Sequence, residues 1–252
     1  MTYYEMPETL HVRTDDGVCP THVFTPANGT DLPAIIMFMD AYGIRPAMFE
    51  LADTLANAGY CVALPDLFYR SGWTAKDAER LFEIPEKRDH FMNVILPTMS
   101  AEKVMSDMPA WMSALRDRPD VRDGGIGTTG YCLGGRLSLT AAGTFPDDVA
   151  AAASYHGGGL ATDAPDSPHK LAPRMKARVY VAGAIEDRSF DDAQKQRLED
   201  ALTAAHVRHE IETYNARHGW VPSDTPVHDE AATQKHWRTT FELFGETFAM
   251  SG

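Results

Sequence analysis

Two features of the apolar pattern organise this chain: unbroken apolar runs, and apolar positions that recur every three or four residues. Ala34-Ile35-Ile36-Met37-Phe38-Met39 is one run and Tyr60-Cys61-Val62-Ala63-Leu64-Pro65 is another. Runs without polar alternation predict strands buried on both faces, as a parallel sheet provides. Between them Met48, Leu51, Ala52 and Leu55 form a helical stripe, with Pro46 suited to its first turn and Gly59 to its end. Residues 10–14 and 18–25 flank Asp15-Asp16-Gly17 and predict a hairpin, with the Asp-Gly step supplying the positive-φ turn. Farther along, the glycine-rich segment 125–130, Val149–Tyr155 and Val179-Tyr180-Val181-Ala182 predict strands, and residues 207–214 alternate as a strand does. Helices are predicted at 102–117, 135–142 and 191–205. A last helix carries Trp237, Phe241, Phe244 and Phe248 at helical spacing. Pro109 lies inside the 102–117 pattern and predicts a kink or a start near Asp107. Residues 71–100, weakly periodic and rich in charge, predict an irregular excursion with a short helix over the sheet edge. Strands alternating with helices point to one α/β domain over 1–252, a mostly parallel sheet with helices on both faces.

Charge narrows the partners. A formal net charge of -13 disfavours nucleic acid and anionic membranes, since both select basic surfaces. It leaves small molecules, including anionic ones, because a few cations in one cleft can outweigh a diffuse acidic surface. The three cysteines, Cys19, Cys61 and Cys132, are widely spaced and suggest neither a disulfide framework nor a zinc site. No histidine pair with a glutamate has zinc-helix spacing, so no metal or cofactor is expected. Met1-Thr2-Tyr3-Tyr4-Glu5 lacks the basic start and apolar run of a signal peptide, and the expected location is the cytoplasm. A monomer or small homo-oligomer is expected.

The sharpest local signal is Gly130-Tyr131-Cys132-Leu133-Gly134-Gly135, between a predicted strand and a predicted helix. It has the form of the G-x-S-x-G nucleophile elbow with cysteine in place of serine. In such a turn the flanking glycines let strand and helix approach, and the helix N-terminus favours a thiolate. Cys61 lies mid-strand and Cys19 in the hairpin, so both are expected to be structural. An elbow nucleophile needs a histidine base and an acid, in the chain order nucleophile, acid, histidine, each just after a strand. Asp187 follows the strand ending at Gly183, with Glu186 in reserve, and His218 follows the strand ending near Tyr214. Asp187 could instead cap a helix beginning near Ser189. His206, His209, His228 and His236 are expected to be solvated.

At these residues the sequence resembles the dienelactone hydrolase family of α/β-hydrolases. The likeness is carried by the elbow, by Met39-Asp40-Ala41-Tyr42-Gly43, by Pro65-Asp66-Leu67-Phe68 and by the surroundings of Asp187 and His218. It runs from about residue 10 to 246 and is weakest over 71–100. The resemblance implies hydrolysis of a small ester or lactone through an acyl-cysteine, with the backbone N–H groups of Leu133 and Ala41 as the oxyanion hole. The family pattern has a glutamate where Asp40 stands, which helps deprotonate the thiol. Asp40, one methylene shorter, is expected either to do the same or to cap the helix entry at 44–46. The family's founding enzymes hold a substrate carboxylate with arginines, one of them shortly after the histidine. Here His218-Gly219-Trp220-Val221-Pro222 puts proline there, leaving Arg217, Arg88, Arg80 and Arg70 as candidates. Tyr42, Trp73, Arg88, His156 and Trp220 are the expected pocket residues, although His156 could equally be packed. Two rival readings stand: a redox-responsive or ligand-binding protein that turns nothing over, and a thioesterase or acyltransferase.

Overall fold

The computed structural model describes residues 7–249. Among the described residues eight strands form one sheet: β1 (Glu8–Thr14), β2 (Gly17–Phe24), β3 (Ala34–Phe38), β4 (Cys61–Pro65), β5 (Ile126–Tyr131), β6 (Val149–Tyr155), β7 (Arg178–Gly183) and β8 (His209–Thr213). Their order across the sheet is β1-β2-β4-β3-β5-β6-β7-β8. The first two join antiparallel, and every pair from β4 to β8 is parallel. The unbroken apolar runs of β3 and β4 are buried along their whole length, as their composition requires. In the hairpin Thr14 pairs with Gly17, so Asp15-Asp16 is the loop; the positive φ falls on Gly17 alone, at 143°.

Within the described residues seven α-helices connect and cover the strands: α1 (Pro46–Asn57), α2 (Ala75–Ala78), α3 (Pro85–His90), α4 (Ala101–Arg116), α5 (Leu133–Thr144), α6 (Asp192–Ala204) and α7 (Glu230–Ala249). Successive residues of β5 show how both faces are closed. A side-chain carbon at Gly127 would meet Phe244 of α7 at 2.7 Å. Thr128, pointing the other way, hydrogen bonds Ser138 of α5 at 2.9 Å. Helix α4 runs unbroken through Pro109 from a cap at Ser100, so the proline does not mark its start. On α7 the buried face includes His236, Thr240, Leu243, Phe244 and Phe248, whereas Trp237 and Phe241 stay half-exposed. His236 is fully buried rather than solvated, and burial pulls its pKa down to about 3.

Residues 71–100 hold more regular structure than expected. Short helices α2 and α3 are followed by a π turn (Phe91–Ile95) and a 3₁₀ turn (Leu96–Met99). Ala78, Leu81, Phe91, Ile95 and Met99 anchor the segment in the core, while Phe82, Met92 and Val94 are exposed. The segment borders the cleft that contains Cys132, not merely the sheet margin. Among the described residues no helix is long and apolar enough to cross a membrane.

Parallel strands put their C-terminal ends on one edge, and the register aligns those ends. Phe38 pairs with Gly130, Tyr131 with Tyr155, Tyr155 with Ala182, and Gly183 with Thr213. The loops after β3, β5, β6, β7 and β8 therefore converge, and they carry Ala41, Cys132, His156, Asp187 and His218.

Candidate active site

Cys132 sits between β5 and α5 with φ 57° and ψ -118°, a left-handed conformation costly for a side chain of this kind. The glycines around it are sterically required. A side-chain carbon at Gly130 would lie 2.2 Å from the Gly134 carbonyl oxygen, and one at Gly134 would lie 2.4 Å from that of Phe38. The collisions are with backbone, which cannot rotate away. The turn leaves Cys132 half-buried and in the cleft, whereas Cys19 and Cys61 are sealed in the core. Burial pushes each of those thiols up to about 12, so they have no nucleophilic role at ordinary pH.

His218 and Asp187 meet as their chain order predicts. His218 Nδ1 donates to Asp187 Oδ2 at 2.7 Å, which fixes the tautomer, and the imidazole shares the cleft with Cys132, whose sulfur is near enough to raise its proton affinity. Burial alone would lower the His218 pKa, but Asp187 and the cysteine sulfur together hold it up at about 10. Burial works against the Asp187 carboxylate too. Hydrogen bonds from His218 and from the Ser189 hydroxyl and N–H, at 2.6 and 2.8 Å, overcome it and lower the pKa to about 2. The helix-cap reading of Asp187 does not hold: α6 begins at Asp192, and its cap is Asp191, which accepts the Gln194 N–H. Glu186 turns away, exposed, with Arg217 4.0 Å distant.

Leu133, the first residue of α5, has an N–H with no carbonyl one turn back in the helix to receive it. In the loop after β3 the recorded bonds run from Tyr42 N–H to the Asp40 carboxylate and from Gly43 N–H to the Asp40 carbonyl, leaving the Ala41 N–H out of that turn. Both residues line the cleft beside Cys132. Among the described residues no group of histidine, cysteine and carboxylate side chains is arranged to hold a metal ion.

The family model for dienelactone hydrolases matches residues 19–248. The chain belongs to the dienelactone hydrolase family. A protein of Synechocystis sp., provisionally named carboxymethylenebutenolidase, is 25% identical over 84% of this chain and 85% of its own. A carboxymethylenebutenolidase of Rhodococcus opacus is 27% identical over 83% of this chain and 79% of its own. In fold the chain is similar to a crystal structure from Klebsiella pneumoniae, provisionally named a dienelactone hydrolase. The TM-score is 0.81 at 21% identity, covering 95% of this chain and 98% of that one. Membership makes this chain a hydrolase with the α/β-hydrolase fold.

Within this family frame several expected pocket residues sit elsewhere. Trp220 is fully buried behind His156, edge-on to its ring at 4.8 Å and stacked on Tyr214. Trp73 packs on His90 and Phe91, supporting the 71–100 segment from behind. Arg88 is exposed beside Asp89 and Arg80 beside Glu83, both outside the cleft wall. Arg70 is committed to Asp107 and Asp16, at 2.7 Å each, and Arg217 is exposed beside Glu186. None of the four faces the cysteine. Their long side chains found carboxylates nearer to hand, a competition that spacing cannot reveal.

Tyr42 does line the cleft, its ring edge-on to Phe82 at 5.8 Å. His156 is there as well and is also packed: fully buried, it accepts on Nδ1, at 3.1 Å, the Cys132 N–H that also donates to the Tyr155 carbonyl at 3.1 Å. Burial and the neighbouring His218 drive its pKa well below normal, so it is a neutral acceptor. Asp40 is not a helix cap. Its carboxylate takes two bonds from Arg45, at 2.7 and 2.9 Å, and Arg45 itself occupies the cap position of α1. Arg45 also grips Asp224 at 2.7 Å and thereby ties the loop after β3 to the loop after His218. Arg45, Ser189 and Arg136, which lines the cleft, were missed from the sequence. Only Ser189, two residues after the acid, carried a local signal.

Proposed function

We propose that this hydrolase cleaves small carboxylic esters or lactones through an acyl intermediate on Cys132. The observation that carries the reading is one cysteine on a strained elbow, within reach of an imidazole whose other nitrogen is held by Asp187. In this reading His218 takes the thiol proton and Sγ attacks the carbonyl carbon. The developing oxyanion is received by the N–H groups of Leu133 and Ala41. Collapse expels the alkoxide, which His218 protonates. A water molecule, deprotonated by His218, then attacks the thioester, and the acid departs as the thiol reforms. Asp187 stabilises the imidazolium in both steps. His156, by accepting the Cys132 N–H, supports the strained backbone and leaves the oxyanion donors to Leu133 and Ala41. Asp40 is held by Arg45 and serves in this reading to shape the loop that presents the Ala41 N–H.

Rapid mixing with p-nitrophenyl acetate tests the reading. A burst of nitrophenol equal to the enzyme, with one acetyl group recovered on the Cys132 peptide, is the expected outcome. Cys132→Ala should lose both. A folded wild type that is alkylated at Cys132 yet shows no burst would favour the redox or ligand-binding alternative. Efficient capture of the acetyl group by added alcohol or thiol in preference to water would favour the transferase.

A further inference from the structure

The cleft above Cys132 encloses about 940 Å³, the upper end of what small-molecule sites occupy. A small lactone would fill little of it. Its wall is apolar along the 71–100 segment, through Phe82, Met92, Leu96 and Met99, and again on the opposite side through Pro226 and Val227. Two of these side chains, Phe82 and Met92, are about half exposed at the rim, at 51% and 48%. Exposed apolar side chains grouped at the rim of one apolar-walled cleft fit a groove that takes an apolar ligand.

Charge in the cleft points the same way. Among the described residues Arg136 is the one lysine or arginine in the wall, and it is already engaged. It donates to the Gly159 carbonyl at 2.6 Å, to the Asp166 carboxylate at 2.9 Å and to the Asp166 carbonyl at 3.2 Å. The wall also carries the carboxylates of Asp40 and Asp187, one held by Arg45 and the other by His218. Each carboxylate in the wall already has its cationic partner, so no cation is left over for a carboxylate of the substrate.

We infer that the substrate is a neutral ester with an extended apolar acyl chain, rather than a carboxylate-bearing lactone or half-ester. This rests on the reading of Cys132 as the acyl acceptor. The acyl group stays on Sγ through both chemical steps, so it is the part of the substrate that needs a continuous apolar wall. Each methylene moved from water into such a wall strengthens binding up to about fourfold.

Steady-state kcat/KM for p-nitrophenyl acetate, p-nitrophenyl hexanoate and mono-p-nitrophenyl adipate separates the possibilities, because hexanoate and adipate match in length and differ in the terminal carboxylate. The hexanoate should exceed the acetate by about 10-fold or more and the adipate by about 20-fold or more. An adipate half-ester cleaved as well as the hexanoate, or a flat response to chain length, would overturn the inference. Turnover of the acetate through an acyl-Cys132 keeps the hydrolase reading intact in either case. Absence of any acyl-enzyme with all three esters would instead sink that reading. Two lysine variants locate the effect. Met92→Lys, in the wall, should shift the adipate-to-hexanoate ratio upward by about fivefold. Val94→Lys places the same charge on an equally exposed neighbour outside the wall and should leave the ratio unchanged. Equal shifts in both variants would show that general surface charge, not the cleft wall, reads the carboxylate.

Discussion

The turn that carries Cys132 and the segment of residues 75–99 line one cleft, and they are built in opposite ways. The elbow is held by backbone. Gly130 and Gly134 leave no room for even one carbon, and Cys132 is locked at a positive φ with its N–H on His156. The segment is held by a few anchors, Ala78, Leu81, Phe91, Ile95 and Met99, with exposed side chains between them. It has short helices, a π turn and a 3₁₀ turn, the irregular elements that tolerate change. The contrast assigns different work to each side. In the proposed reading the attacking sulfur must be placed to a fraction of an ångström, whereas a wall that accommodates a chain needs only apolar character and approximate shape.

The comparison breaks most sharply at Cys132 and the proposed base His218. Cys132→Ala or His218→Ala should lower kcat on the order of 10⁴-fold or more, with little rise in KM. Near-normal turnover in His218→Ala would mean that the base lies elsewhere. Next in size is Gly134→Ala, whose new carbon would lie 2.4 and 2.6 Å from the carbonyl oxygens of Phe38 and Met39. Overpacking against backbone should cost about 3 kcal/mol in urea unfolding and reduce kcat as the elbow shifts. An unaltered midpoint and rate would show that the glycine is not a steric requirement.

The pH dependence comes third. His218 is held up at about 10, so kcat/KM should fall on the alkaline side as the imidazolium loses its proton near that pH. Removing the carboxylate in Asp187→Asn should move that limb toward neutrality, and a limb that stays put would exclude Asp187 as its cause. Stability follows the same signs. The raised His218 pKa contributes fully below the ordinary histidine value of about 6.5 and is lost as pH rises toward 10. The lowered Asp187 pKa contributes above about 3.9 and is lost as pH falls toward 2. The smallest effect belongs to the 75–99 segment: Met92→Ala, at an exposed position, should leave unfolding stability within about 0.5 kcal/mol and change KM less than tenfold. A large loss of stability there would erase the distinction between the two sides.

How far the linear chain reaches can be judged residue by residue. The buried strands, helices α1 and α5–α7, and the elbow were readable because each is a local device: an unbroken apolar run, a helical stripe, or glycines spaced around one nucleophile. Asp187 and His218 were readable because parallel strands send every C-terminal loop to one edge, so position in chain order stands in for position in space. The 71–100 segment was only partly readable, since its anchors are sparse and follow no single period.

What the amino-acid order determined, then, was the sheet, the strained turn at Cys132 and the placing of Asp187 and His218 on the same edge, because backbone sterics and periodicity act over neighbouring residues. The tertiary structure decided which charged and aromatic side chains reach the cleft. Arg70 went to Asp107, Arg45 joined Asp40 to Asp224, Arg136 rather than Arg88 entered the wall, and Trp220 went behind His156. Each depends on which partner lies within a long side chain's reach after the loops have met, and that distance exists only in the folded molecule.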